Sequence, residues 1–405
     1  MRQADEFKFN ELTYCVGSAD GVIDMINAPA LTPFADEAVD FLNELSKLLM
    51  KSGRGYSDVI SFAFWCRRSA LLKEKQRYEN TGLRLGRGVV MHSTPSNVPV
   101  NFAFSFASGL IAGNKNLVRL PAKPFPQVEI ITQALNELLS GGFKHMRPYV
   151  VMVKFPPVKA ITDAFSSICD TRVIWGGDAT IAEIRQSPLP PRANEIAFAD
   201  RHSVCVINAA EYLKAEDKPR IASDFYNDTY FTDQNACTSP RAVVWLAEDD
   251  DTARCAKAEF WRELYALAKP KYDLKPVQTV GKLHAACRAA ALLQGVNIVM
   301  EPEPDALITR LKVDKLTGDI MRFKYNSGFF FEYTAGSLDE ILPLATLPCQ
   351  TLLYYGVDTA DIEAFVKKNA PRGIDRAVPI GRSMDFKLLW DGYDLVLTMS
   401  RVVGI

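Results

Sequence analysis

The sequence predicts an α/β protein built on parallel sheets with helices on both faces. Short apolar runs of strand type alternate with segments of helical periodicity along most of the chain. The strand runs, YVVMVKF and SVCVIN among them, are apolar throughout rather than alternating, as strands buried on both faces are. A chain of 405 residues, 48% of them hydrophobic, is also long enough for two or three domains with cores of their own.

The elements follow in order. Ala38, Phe41, Leu42, Leu45, Leu48 and Leu49 fall at i, i+3, i+4, i+7 spacing and predict an amphipathic helix. Asp58 to about Arg77 reads as a second helix. GVVMH (88–92) is a short strand, STPSNVP a turn, and Val98 to Ala112 a buried apolar helix ended by Gly113. NLVRL (116–120) is a strand, and Pro126 to Leu139 a helix with proline at its start. YVVMVKF (149–155), a helix near 158–168, RVIW (172–175), a helix near 178–185 and SVCVIN (203–208) continue the alternation. Right-handed crossovers make this first sheet Rossmann-like. After Asn208 the pattern restarts. A helical, charged segment leads to the stretch QNACTSPR, the strand AVVWL, helices over Asp251–Ala268 and Val277–Leu293, and the runs VNIVM and FFFEY. The segment from about Pro371 is irregular before a last helix-like run, YDLVLTMSRVV. Three domains are expected: 1–208 with the first sheet, 209–370 with the second, and a C-terminal segment 371–405 packing back on the first.

Composition excludes several classes. A net charge of -1 argues against a nucleic-acid binder, which shows a basic excess. The start MRQADEFKFNEL lacks the apolar core of a signal peptide, and no apolar run reaches the length of a membrane span. The eight cysteines are scattered without a CxxC pair, which predicts thiols in a reducing cytoplasm rather than disulfides or a zinc site. Most are flanked by apolar or helical sequence and read as small buried hydrophobes. Cys237 differs. It sits among small polar residues closed by Pro240, on a turn directly before a buried strand.

The chain has no G-x-G-x-x-G between a strand and a helix; Gly86-Arg87-Gly88 precedes its strand. Yet GRGVVMHSTPSNVPVNFAFSFASGLIAGNKNLVRLP resembles the aldehyde dehydrogenase superfamily, with its G-V-V strand, P-x-N-x-P turn, apolar helix, A-x-G-N and strand ending at a basic residue. That superfamily binds NAD(P) without the glycine fingerprint. VIWGGDATIAEIR stands where it has its F-T-G-S turn. QNACTSPR, with Cys237 lying 140 residues after Asn97, stands where it has its nucleophile. The QNACTSP and WGGD turns and the tail GIDRAVPIGRSMDFKLLWDGYDLV resemble the Lux-type acyl-CoA reductases, which make fatty aldehyde from acyl thioesters. The likeness covers Gly86 to the C-terminus. It implies an aldehyde-dehydrogenase-like α/β fold, a Rossmann-type cofactor domain and an α/β catalytic domain with the thiol facing the cleft between them.

The resemblance also assigns residues. Cys237 is the implied nucleophile and Asn97 the oxyanion-hole donor. Thr94, Pro95, Ser96, Gly176 and Gly177 are implied cofactor turns, where small residues let backbone approach a phosphate. Asp178 reads as the cap of the following helix. Arg119 replaces the lysine that meets the adenosine ribose, and a guanidinium there suits the 2′-phosphate of NADPH rather than NADH. Glu332 is the implied partner of the nicotinamide ribose. The family's hydrolytic glutamate is missing. Phe198 falls about where it would be, and Glu195 and Asp200 are out of register, which favours reduction of a thioester over oxidation of an aldehyde to an acid. Phe102, Phe104 and Phe106 read as an acyl channel or as the core face of a helix. Arg376 and Arg382 read as ties for the tail loop or as contacts to CoA phosphates. The implied partners are an acyl thioester, an acyl-activating synthetase or acyl carrier protein to supply it, and a second copy of the chain in a homo-oligomer. Two further readings stay open: a dehydrogenase oxidising an aldehyde to a thioester or acid, and a catalytically silent subunit of a biosynthetic complex.

Overall fold

The chain begins with β1 (Thr13–Val16), α1 (Ala19–Asn27), α2 (Asp36–Ser52), α3 (Ser57–Trp65) and α4 (Arg68–Lys75) in a computed structural model that describes residues 12–95, 98–303 and 305–405. The helix expected over Asp58–Arg77 is broken at Arg67, whose backbone is extended. Asn43 of α2 accepts the Arg68 N–H (3.0 Å), so a tertiary contact satisfies the new helix start. The alternation follows: β2 (Arg84–Gly86), β3 (Val89–Ser93), α5 (Asn101–Ile111), β4 (Lys115–Arg119), α6 (Pro126–Ser140), β5 (Val150–Lys154), α7 (Lys159–Ile168), β6 (Thr171–Trp175), α8 (Asp178–Ile184) and β7 (Asn194–Phe198). The sheet order is β1-β5-β4-β3-β6-β7, parallel except for β1. From β3 the chain winds one way through β4 and β5, then crosses to β6 and β7. The strand order therefore reverses between β3 and β6. Phe102 and Phe106 are fully buried with α2 and α3 residues, and Phe104 packs edge-on against Phe62 and Trp65, so these rings form core.

A second unit comprises residues 200–386, the first being 1–199 with 387–405. It contains β8 (His202–Asn208), α9 (Ala209–Lys214), α10 (Lys218–Asp228), β9 (Pro240–Leu246), α11 (Asp250–Ala268), α12 (Pro276–Leu292), β10 (Val296–Ile298), β11 (Thr309–Val313), β12 (Phe329–Ala335), β13 (Cys349–Tyr355), α13 (Thr359–Asn369) and β14 (Arg376–Pro379). The order is β10-β11-β12-β9-β8-β13-β14, with only β10 antiparallel to its neighbour. Alternate residues enter two separate cores. Val204, Val206, Val244 and Leu352 line one, and Cys205, Ile207, Val243 and Leu353 line the other. Both faces are covered, as the unbroken apolar runs predict.

The chain ends with β15 (Leu389–Trp390), β16 (Tyr393–Asp394), α14 (Leu395–Met399) and β17 (Ser400–Val402), the last paired with β2. These elements divide the chain elsewhere than expected. SVCVIN is a central strand of the second sheet, between β9 and β13, so the division falls after Ala199 rather than Asn208. The expected tail segment is split, because β14 pairs with β13 while 387–405 joins the first unit. The final run is a short strand, one helical turn and a strand rather than a helix.

Candidate active site

In the first unit, Thr94, Pro95, Arg119, Gly176 and Gly177 come together at the carboxyl ends of β3, β4 and β6. This is the edge at which strand order reverses, where open α/β sheets hold dinucleotides. Thr94 Oγ1 donates to the Arg119 carbonyl (2.6 Å) and ties the turn after β3 to the end of β4. Ser96 and Asn97 lie outside the described residues. A Cβ on Gly176 would stand 3.1 Å from Thr180 Cγ2, so a side chain there would crowd the first turn of α8. The Gly176 N–H bonds the Phe198 carbonyl (3.2 Å). The helix cap is Gly177, not Asp178, which is instead the first helical residue, where its charge suits the helix dipole. Arg119 lies over the Phe155 ring (4.8 Å) and donates to the Phe155 carbonyl at 3.4 Å, a weak bond. Burial lowers its pKa, against the pull of Glu183. No carboxylate among the described residues forms an ion pair with it, so its guanidinium fits an incoming phosphate.

Beneath this edge lies a polar relay that no motif signalled. Trp175 Nε1 donates to Ser105 Oγ (2.9 Å), Ser105 Oγ meets His92 Nδ1 (2.7 Å), and His92 Nε2 meets Asn116 Oδ1 (3.0 Å). The Asn116 amide oxygen can only accept, so the imidazole proton sits on Nε2, and in the neutral ring Nδ1 accepts the Ser105 hydrogen. Burial pushes the His92 pKa down to about 4, which keeps the ring neutral. Phe198 stacks on Trp175 (3.7 Å, 21°) and meets Tyr393 edge-on. Glu195 is taken by Arg172 (2.6 Å) and Arg185 (2.7 Å).

In the second unit, the Cys237 turn lies at the amino ends of β8, β9, β12 and β13. Asp233 and Gln234 both hold φ near 51°, a left-handed conformation that non-glycine residues keep only when their surroundings impose it. The surroundings here are specific. The buried Gln234 amide uses both ends: its oxygen accepts from the Gly328 (2.8 Å) and Phe329 (3.1 Å) N–H groups, and its nitrogen donates to the Pro240 (3.1 Å) and Phe329 (3.3 Å) carbonyls. Gly328 has φ 81°, and a Cβ there would strike the Tyr230 hydroxyl. Asp233 accepts from Ser327 Oγ (2.7 Å), Gln278 Nε2 (3.1 Å) and the Tyr272 hydroxyl. Ser203 Oγ donates to the Cys237 carbonyl (2.8 Å) and accepts the Thr351 N–H (3.2 Å). Arg241 donates to the Tyr325 carbonyl (2.6 Å), Asn326 Oδ1 (2.8 Å) and the Gln234 carbonyl.

Cys237 is half-buried, whereas Cys66, Cys169, Cys205 and Cys349 are buried. Burial pushes the Cys205 thiol well up and the Cys349 thiol to about 12. Part of the tail motif also reaches the turn. Thr238 Oγ1 lies 3.4 Å from Met384 Sδ, and the Asp228 carboxylate accepts the Gly381 (2.5 Å) and Ser383 (3.0 Å) N–H groups. Arg376 donates to the Arg382 carbonyl (3.1 Å), which ties the loop. Gln234, Arg241, Ser203 and Asp228 were not anticipated as site residues, although the first two lie inside the quoted motif QNACTSPR. Glu332 is a correction. It is buried on β12, and its carboxylate accepts from Trp245 Nε1 (3.0 Å), Trp261 Nε1 (2.6 Å) and Arg310 (3.2 Å). Those donors occupy it inside the second unit's core, and it cannot reach for a ribose.

The family model described as acyl-CoA reductase (LuxC) matches residues 26–282, more than half of the chain. The chain belongs to the LuxC acyl-CoA reductase family. LuxC-family proteins are aldehyde-forming oxidoreductases, and nicotinamide dependence comes with that membership. The fold is that of the aldehyde dehydrogenases. Aldehyde dehydrogenase 21 from Physcomitrella patens aligns at TM-score 0.63 and 12% identity, over 94% of this chain and 88% of that one. A Corynebacterium glutamicum NAD-dependent benzaldehyde dehydrogenase aligns at 0.60 and 15% identity, over 92% and 85%. The Mycobacterium tuberculosis Delta-pyrroline-5-carboxylate dehydrogenase aligns at 0.61 and 14%, over 95% and 81%. A search of curated proteins finds no match. The described residues include no helix long and apolar enough to cross a membrane.

Proposed function

We propose that this chain reduces an acyl thioester to an aldehyde through an acyl–Cys237 intermediate, with NADPH as the preferred hydride source. The observation that carries this reading is a half-buried thiol on a turn locked from three sides, in a family of acyl-CoA reductases. The Cys237 thiolate attacks the thioester carbonyl, the acyl–sulfur bond to the donor breaks, and the donor leaves as a thiolate that takes a proton from solvent. Asn97, by its place in the P-x-N-x-P turn, steadies the oxyanion with its side-chain N–H. The cofactor supplies a hydride to the acyl carbon when bound. Collapse of the resulting oxyanion breaks the carbon–Sγ bond, releases the aldehyde and restores the Cys237 thiolate. Thr94, Pro95, Ser96, Gly176 and Gly177 would hold the dinucleotide, and Arg119, which forms no ion pair among the described residues, would take its 2′-phosphate. The acyl donor is CoA or a carrier, supplied by an acyl-activating synthetase or acyl carrier protein, and the chain works as a homo-oligomer in the cytoplasm.

Two observations weigh against the acid-forming alternative. Phe198 carries no base and packs against Trp175 and Tyr393, and Glu195 is held by two arginines, so neither is available to activate water. The test is to acylate the protein with a labelled acyl-CoA, remove the excess and follow the label by mass spectrometry. The label should sit on Cys237, be absent in Cys237→Ala, persist without cofactor and leave as aldehyde when NADPH is added. Rapid release as free acid would point to a hydrolytic dehydrogenase, and no label at all to a catalytically silent subunit.

A further inference from the structure

We propose that Arg241 holds Cys237 in its thiolate form and thereby sets the pH range in which the nucleophile works. The proposal deepens the reading above and rests on Cys237 being the nucleophile.

The backbone aims Arg241 at the turn. The pairing of β8 with β9 runs Ser203 to Pro240 and then Val204 to Ala242, with a register shift between them. Arg241 is the extra residue of that bulge, a device that redirects one side chain out of the sheet's alternation. Its side chain turns back under the Cys237 turn, to the Gln234 carbonyl three residues before the thiol and to Tyr325 and Asn326 ahead of β12. Every one of these acceptors is a neutral oxygen. No carboxylate among the described residues forms an ion pair with Arg241, and the residue is only 7% exposed. A cation buried among neutral acceptors keeps its field, and its burial is unfavourable unless an anion comes close. Two groups act on it with opposite charge, Asp233 and Cys237. Asp233, which acts on it more strongly, is fixed by Ser327, Gln278 and Tyr272 and forms no ion pair with Arg241 among the described residues. The Cys237 thiolate is the second anion for Arg241 to stabilise, and thiols beside arginine ionise well below the usual value of about 8.5.

Other charges surround the turn. Arg201 and His202 open β8, Lys324 precedes β12, and Asp228 closes α10 under the loop bearing the Arg382–Asp385 pair. Burial and the neighbouring cations push the His202 pKa down to about 4, so this ring is neutral and adds no charge. Arg201 is paired with Asp375. Arg241 is thus the cation that hydrogen-bonds to the turn itself among the described residues.

The experiment reads alkylation of the Cys237 peptide by iodoacetamide, by mass spectrometry from pH 5 to 10, in the wild type, R241Q and R241K. The wild type should label half-maximally below about pH 7.5. R241Q, neutral but still able to hydrogen-bond, should shift that midpoint up by at least about one pH unit and slow labelling at pH 7 at least about fivefold. R241K, which keeps the charge, should stay within about half a unit of the wild type. An unshifted R241Q, or equal shifts in both variants, would overturn the proposal and leave Arg241 as a tether. Circular dichroism checks the folds. If R241Q does not fold, a full-unit rise in R241K alone overturns it and a retained midpoint supports it. A wild-type midpoint near about 8.5 would instead remove Cys237 as an activated nucleophile, and with it the functional reading, whatever the variants do.

Discussion

The two parallel sheets use opposite edges. In the first unit the candidate residues gather where strands end, at Thr94, Arg119 and Gly176. In the second they gather where strands begin, at Ser203, Cys237 and Arg241. The carboxyl edge comes ready for an anionic cofactor, because the chain turns there into helices whose N–H groups point outward. The amino edge is where the chain enters strands rather than helices. It is built instead from side chains that hydrogen-bond to main chain, with Gln234, Asp233, Ser203 and Arg241 each closing part of the Cys237 turn. A cofactor edge is largely a property of topology, whereas a nucleophile turn is a property of a few buried polar residues. The second should therefore be far more sensitive to single changes.

The largest expected effect tests that directly. Gln234→Leu removes four hydrogen bonds and leaves the Gly328 and Phe329 N–H groups buried without a partner. Unmade buried bonds cost about 1–3 kcal/mol each, so the second unit should lose about 3 kcal/mol or more and melt about 6 °C lower or further. Acylation of Cys237 should fall on the order of a hundredfold or more as the thiol loses its position. The matched change at the other edge, Thr94→Val, removes one bond and should cost only about 1 kcal/mol. Calorimetry of both variants checks the contrast, and equal losses would abolish it.

Next comes Asn97→Ala. Losing one oxyanion donor should slow acyl transfer on the order of a hundredfold while NADPH affinity barely moves. Stopped-flow acylation and a cofactor titration separate the two, and near-normal turnover would exclude Asn97 from the role.

The sequence carried much of this architecture for a physical reason. Apolar runs buried on both faces are a local signal, and so β3 to β6 were legible, together with the turns that follow β3 and β6. The thiol turn was visible through small polar residues before a strand. Its supports were not. Lys282 lies inside the helical run VGKLHAACR and carries a charge. It is nonetheless fully buried, donating to the Leu307 (3.2 Å) and Ser327 (2.6 Å) carbonyls, partners 25 and 45 residues away. Glu332 was assigned by resemblance to a family glutamate, whereas two indoles and an arginine from other elements hold it. The 208 boundary failed because SVCVIN has the same composition whichever sheet it joins. Register and partner choice are set by long-range packing, not by the strand itself.

Arg119→Ala should act more gently, since it touches specificity rather than the thiol. NADPH should bind more tightly than NADH to the wild type, and the variant should narrow that gap by about tenfold, roughly 1.4 kcal/mol. Equilibrium titration with both cofactors decides. Equal affinity of the wild type for the two would count against Arg119 as a phosphate contact.

The smallest effect is a pH dependence confined to the second unit's amino edge. Burial raises the Asp228 pKa from 3.8 to about 6, outweighing the N–H groups of Gly381 and Ser383 that favour its charged form. A carboxyl group raised on folding binds its proton more tightly in the native state. Its contribution to stability is fully present below pH 3.8 and is lost as pH rises through about 6. This is opposite in sign to the usual salt-bridged carboxylate. Asp228→Asn removes the titration and keeps a polar side chain of the same shape. The melting temperature of the wild type relative to Asp228→Asn should therefore fall as pH is raised from about 4 to about 7 and level off above that. Taking the difference between the two proteins cancels the titration of every other carboxylate. A difference that stays constant, or rises with pH, would mean that the two N–H donors outweigh burial. Asp228 would then anchor the Met384 loop as an ordinary ionised carboxylate, and the side-chain scaffold of the thiol edge would be no more sensitive to pH than the helix ends of the cofactor edge.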